Sequence, residues 1–262
     1  MRTIDRKKKA RNPVRTSRAE REYQRSLTQV ARQVGSIING FPPGDPAADP
    51  TISQILRRYA DALNDWAIAT GGRMIADVNQ QDRKAWAART EEMSKALRDE
   101  ILHADTGAAM RGLLAEQVTL IKSIPLDAAK RVHELTVQGI EDATRANEIA
   151  KEIQRSGEVA TGRAQLIART EVSRTAATLT EARAKATGSE GYIWRTAHDG
   201  TVRSSHKDME GKFVPWSKPP TLDKLTGHAG CLPNCRCWPE PVLPGVVVKE
   251  RSNNEFIYGN KR

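Results

Sequence analysis

Aromatic side chains make up only 5% of this sequence. Aromatic residues are enriched in strands and help fill sheet-on-sheet cores, so their scarcity argues against a sheet-rich sandwich. Cysteine is scarcer still, with three residues, Cys231, Cys235 and Cys237, crowded into one short stretch. A disulfide framework needs an even and dispersed set, so this cluster points to metal ligation or to incidental thiols. No apolar run approaches the length of a bilayer span, and the first residues lack the apolar core of a secretory signal. The expected setting is therefore the cytoplasm. There is no repeat of fixed period to suggest a solenoid, and no recognisable phosphate loop or oxyanion-hole motif.

Charge is plentiful instead, at 28% of 262 residues, and alanine-rich stretches with Glu, Arg and Lys suit long solvated helices. The formal net charge of +10 is uneven: Met1 to Arg25 holds ten Lys or Arg against three acidic residues. Such an arm attracts polyanions through counterion release, with Arg6, Lys7, Lys8, Lys9 and Arg11 as candidate nucleic-acid contacts. It equally reads as a mobile solubilising tail, because no interleaved aromatics are present to stack on bases.

Along the chain, residues 1–50 read as this basic arm followed by a Pro/Gly linker from Gly40 to Pro50. From Thr51 the apolar residues Ile52, Ile55, Leu56, Tyr59, Leu63 and Trp66 recur at helical steps, and Gly71-Gly72 offers a stop. Trp86, Met93, Leu97 and Ile101 mark a further helix. Met110, Leu113, Leu114, Val118 and Ile121 mark another, which Pro125 is expected to end. Three more helical stretches follow, with stops at Ser156-Gly157 and Gly188, completing a helical body over 51–188. Residues 189–243 change character: Tyr192 to Trp194 and Lys212 to Val214 read as strands among Pro, Gly and Cys. Residues 244–262 form a tail, and Val242 to Val248 suits an edge strand or a docking peptide. The predicted fold class is mainly α: an elongated helical body followed by a small, loop-rich α+β C-terminal module, with zinc as its candidate stabiliser.

Three separated segments carry a resemblance. The first is Leu120-Ile-Lys-Ser-Ile-Pro125, and the second is Arg163-Ala-Gln-Leu-Ile-Ala-Arg-Thr-Glu-Val172. The third runs from Trp194 through Asp199 and Val202-Arg-Ser-Ser-His206 to Gly211, Pro219-Pro220 and Pro233-Asn-Cys-Arg-Cys237. Together they resemble the minor head, or head-morphogenesis, protein family of tailed bacteriophages. The resemblance implies a structural motif of Arg163, Arg169, Glu171, Trp194, Asp199, Arg203 and Gly211. It also implies a virion component, low in copy number, that works in capsid assembly at the portal rather than as an enzyme. Portal and capsid proteins are the implied partners, with DNA a further candidate through the basic arm, and location in the capsid interior or at the portal vertex. This sequence departs from relatives that carry a Cys pair where it has Arg203 and His206, and a His where it has Leu232.

Five soft or borderline donors fall in the C-terminal module: His206, His228, Cys231, Cys235 and Cys237. Zinc takes four such ligands tetrahedrally, and a module of about 50 residues has little core, so ligation by four of the five could supply folding free energy. Pro233-Asn234 is expected to turn the chain so that Cys235 and Cys237 meet. The plain alternative is a set of buried thiols beside Trp194, Phe213 and Trp238. Asp199 and Arg203 are expected to pair with each other, and Arg169 and Glu171 either to face a partner or to bridge to the module. His103 and His133, without visible partners, read as structural or exposed. Two rival functions follow: a zinc-dependent DNA-processing hydrolase or nuclease acting in packaging or delivery, and a plain DNA-binding module. Three protein ligands with an open fourth position would favour the hydrolase.

Overall fold

A computed structural model describes residues 3–6, 9–91, 95–142, 145–244, 247–249 and 255–257. Lys7, Lys8 and Met93 lie outside the described residues, as does most of the tail. The helices are α1 (Ser17–Asn39), α2 (Asp49–Ala62), α3 (Asn64–Arg89), α4 (Lys95–His103), α5 (Gly107–Glu141), α6 (Ala146–Gln154), α7 (Ser156–Ala186) and the short α8 (Ser204–Lys207). The strands are β1 (Thr3–Asp5), β2 (Gly191–Arg195), β3 (Phe213–Pro215), β4 (Thr221–Leu222), β5 (Leu225–Thr226), β6 (Trp238–Val242), β7 (Val247–Lys249) and β8 (Glu255–Ile257). The chain is therefore mainly α with small sheets, as its composition implies. None of the described helices is long and apolar enough to cross a membrane.

Two compact units result, and each draws on distant parts of the sequence. The second unit, residues 19–74 and 113–169, is all helical. It includes α1, in a segment expected to be arm and linker. Tyr23, Leu27, Val30, Val34 and Ile38 recur every three or four residues and are buried, so an apolar stripe folds this basic segment into the core. The Pro/Gly stretch does connect helices: Pro46–Ala48 is a single 3-10 turn capped by the Asp45 carboxylate, and Pro50 sits in the first turn of α2, where no helical N–H is lost.

Two expected helix stops do not act as stops. α3 runs through Gly71-Gly72, because Ala67, Thr70, Met74 and Ile75 are buried on either side and hold the helix by packing. α5 likewise continues through Pro125, which is itself buried together with Ile121, Ile124 and Ala128. A proline costs a helix roughly 3 kcal/mol, and burial of a whole apolar face exceeds that. In the same unit α1 and α7 meet at a pair of glycines, where a Cβ on Gly157 would lie 2.7 Å from the Gly35 Cα. His133, expected to lack a partner, approaches Asp49 at 2.8 Å.

The first unit comprises residues 1–18, 75–112 and 170–262. Its antiparallel sheet has the order β3-β2-β6, with Tyr192 opposite Val214 and Trp194 opposite Pro239. All five residues of β2 are buried, as befits a central strand, whereas Pro239 and Pro241 are tolerated because β6 is an edge. Tyr192, Ile193, Trp194, Val214 and Trp216 pack with Trp86 and Ile101 as one core. Beside it, Arg183 of α7 pairs with the fully buried Asp82 of α3, which also accepts from Thr180 at 2.6 Å. Burial pushes the Asp82 carboxyl above its ordinary range, against the pull of Arg183. A second sheet joins β1 to β7 in parallel and β7 to β8 antiparallel.

Candidate metal centre

α8 and the segment leading into β6 bring three donors together. His206 of α8, Cys235 and Cys237 are all buried, and one ligand atom from each lies within 4.8 Å of the others. Nδ1 of His206 is 3.5 Å from both sulfurs. Zn–N and Zn–S bonds of ~2.1 and ~2.3 Å at a tetrahedral angle place nitrogen and sulfur about 3.6 Å apart, so the spacing fits one ion. The Trp194 ring meets the His206 ring edge-on at 5.5 Å and walls the group from one side.

Two residues apart, Cys235 and Cys237 are both buried while Arg236 between them is exposed. Residues i and i+2 of an extended chain share a face, so their meeting does not depend on the expected turn. That turn exists, with Asn234 at φ +58° and the Cys235 amide donating to the Leu232 carbonyl at 3.0 Å, but it sets the direction of approach. The Cys237 thiol donates to Cys235 and draws the Cys235 thiol down to about 6, while the same contact pushes Cys237 up. The shift favours the Cys235 thiolate, the form that binds metal.

The other two candidates stand apart from this group. Nδ1 of His228 lies 3.2 Å from the Tyr192 hydroxyl, between the edges of the Tyr192 and Trp216 rings, and burial lowers its pKa. Burial pushes the Cys231 thiol up to about 12, which disfavours the thiolate. The structure therefore assembles three of the five donors rather than four.

The motif residues are placed as follows. Arg163 lies 2.6 Å from Asp127 and donates to Ser123, tying α7 to α5 within the helical unit. Arg169 approaches Glu20 of α1 at 3.4 Å, and Glu171 accepts from Arg174 one turn along α7. The residue between them meets the C-terminal module, as the Thr170 hydroxyl accepts from the Asn234 amide at 2.9 Å. Asp199 pairs with Arg236 at 2.8 Å and not with Arg203, whose guanidinium donates to the Pro233 carbonyl. Both arginines thereby pin the Cys235–Cys237 segment to the loop before α8. Gly211, at φ +76°, passes so close to the N-terminal strand that a Cβ would lie 2.6 Å from the Arg6 carbonyl oxygen. Arg6 itself donates to the Gly211 carbonyl, so this candidate DNA contact is engaged in the fold, whereas Lys9 and Arg11 are exposed.

One residue that the spacing analysis misses ties these parts together. Arg195, 1% exposed at the end of β2, contacts Glu240 at 2.7 Å and Glu210 at 3.2 Å and donates to the carbonyls of Asp5 and Arg6. Its signal was an arginine closing an otherwise apolar strand.

Residues 130–239 match the family model described as Phage Mu protein F like protein. Through that stretch the chain is similar to the Phage Mu protein F like family. The family is one of phage head morphogenesis, and the matched stretch holds the whole candidate metal centre and every motif residue named above. An uncharacterized protein of Haemophilus influenzae is 32% identical over 151 residues, covering 58% of this chain and 31% of the relative. The chain thus spans about a third of that relative's length. No solved structure matches the chain.

Proposed function

We propose that this Mu F-like chain is a low-copy structural component of a phage capsid, acting in head assembly at the portal and not as an enzyme. The observation that carries the reading is that the buried His206, Cys235 and Cys237 group lies inside the stretch matched by the head-morphogenesis family. Zinc held there would add folding free energy to a module of small sheets and loops, with His206, Cys235 and Cys237 as its protein ligands. Three protein donors would also suit a catalytic ion, the feature expected of a zinc-dependent nuclease. Against that alternative, all three donors are buried, and no carboxylate joins the group among the described residues to serve as a general base. In this reading portal and capsid proteins are the partners and the virion is the location. DNA would meet the exposed Lys9 and Arg11 electrostatically, without base readout.

The test is co-expression of the full chain with the portal protein of its own phage. Co-purification, with zinc in the chain and no cleavage of duplex or single-stranded DNA, is expected. Zinc-dependent DNA cleavage abolished by His206→Ala would replace this reading with the nuclease. Loss of DNA affinity in a Lys9→Ala, Arg11→Ala variant, with a shallower salt slope, would identify the arm as the DNA contact.

A further inference from the structure

The helical unit presents a face that its own fold leaves unused. On α5 the residues Leu126, Lys130, His133, Val137 and Ile140 follow one another at alternating steps of four and three, so they form one stripe about 21 Å long. Leu126, Val137 and Ile140 are 41%, 39% and 63% exposed, while α5 buries a different stripe through Ile124, Ala128, Val132 and Thr136. Beside Leu126, Lys130 and His133 runs α2, and the two helices enclose an open groove of ≈ 640 Å³ reaching Pro50, Ser53 and Arg57. That volume suits a row of inserted side chains.

The charges on the groove select the occupant. The carboxylate of Asp49 is nearly buried and already engaged by Ser53 at 3.1 Å and His133 at 2.8 Å. Arg57 makes no ion pair or hydrogen bond among the described residues, and Lys130 reaches only its exposed neighbour Glu134 at 3.7 Å. A pair of that kind contributes only a few tenths of a kcal/mol and yields readily to a better partner. Two copies of this face would set Arg57 and Lys130 against themselves, which disfavours self-association.

We propose that the α2–α5 groove docks an amphipathic helix of another protein, with apolar residues on the α5 stripe and carboxylates against Arg57 and Lys130. The inference goes beyond the metal-stabilised head-protein reading and does not depend on it, since it concerns a different unit of the chain. The probe is a labelled 21-residue designed helix with Leu at heptad a and d positions and Glu at e and g, alongside the same helix with Lys in place of Glu. Fluorescence anisotropy with the full chain should show the Glu helix binding and the Lys helix binding at least tenfold more weakly. Ile140→Asp, at a solvent-exposed position, should weaken the Glu helix by about tenfold or more, and Arg57→Glu with Lys130→Glu should reverse the preference. Circular dichroism confirms that each variant remains folded. The proposal is overturned if neither helix binds, if both bind equally, or if Ile140→Asp has no effect. It is also overturned if the chain sediments as a dimer that Ile140→Asp dissociates, because the occupant is then a second copy.

Discussion

At the scale of single residues, the candidate metal centre separates donors that sequence spacing could not rank. Cys235→Ser or Cys237→Ser should abolish zinc binding, whereas Cys231→Ser, outside the group of three, should retain it; elemental analysis of protein purified without chelator reads the difference. Arg195→Met should cost about 3–5 kcal/mol in denaturant unfolding, because Glu210 and Glu240 lose their shared cation and two backbone carbonyls lose a donor. Asp199 supplies a pH dependence. The Thr201 hydroxyl holds its carboxyl below the ordinary range, so its contribution is complete above the unfolded carboxylate pKa of about 4 and is lost as pH falls through the lower folded value. Thr201→Val should therefore reduce the loss of Tm that wild type shows on acidification below pH 4. Cys235, Cys237 and His206 were legible because soft donors at close spacing are rare. The ion pairs were less so: Asp199 with Arg236, and Asp49 with His133, join residues 37 and 84 positions apart, a proximity that only the fold creates.

At the scale of elements, legibility followed periodicity and failed at punctuation. The apolar stripe of α2, the helix ending before Gly188 and the strand at Tyr192 to Trp194 were all visible as patterns of period 3.6 or 2. Pro125 and Gly71-Gly72 were read as stops because their local cost is real, but burial along the full lengths of α5 and α3 outweighs it. α1 escapes a reading by charge for the converse reason, since the ten basic residues of Met1 to Arg25 run into its first turns and conceal seven buried positions. The close crossing of α1 and α7 gives an opposed pair of substitutions within one helix. Gly157→Ala should destabilise by about 1–3 kcal/mol, because its methyl group would collide with the Gly35 backbone. Gly162→Ala, where nothing lies within 4 Å of the new Cβ, should stabilise by about 0.5–1 kcal/mol through helix propensity alone. Urea denaturation of the two variants checks both signs.

At the scale of the whole molecule, the two units should respond differently to removal of the proposed zinc. The candidate centre belongs to the unit containing residues 170–262, so chelation should raise amide exchange around β2, β3 and β6 while the buried amides of α1 and α2 stay protected. Uniform loss of protection throughout the chain would show instead that the units unfold as one. The parallel pairing of Thr3–Asp5 with Val247–Lys249 also sets the order in which the protein can be made. Residues 19–74 and 113–169 contain everything the helical unit needs, so that unit can fold while synthesis continues. The other unit must hold its first strand unpaired until almost 250 residues have been translated, and a contact so distant in sequence forms slowly. A nascent chain stalled shortly before Val247 should therefore carry a protease-resistant helical core and a β1 segment still open to cleavage.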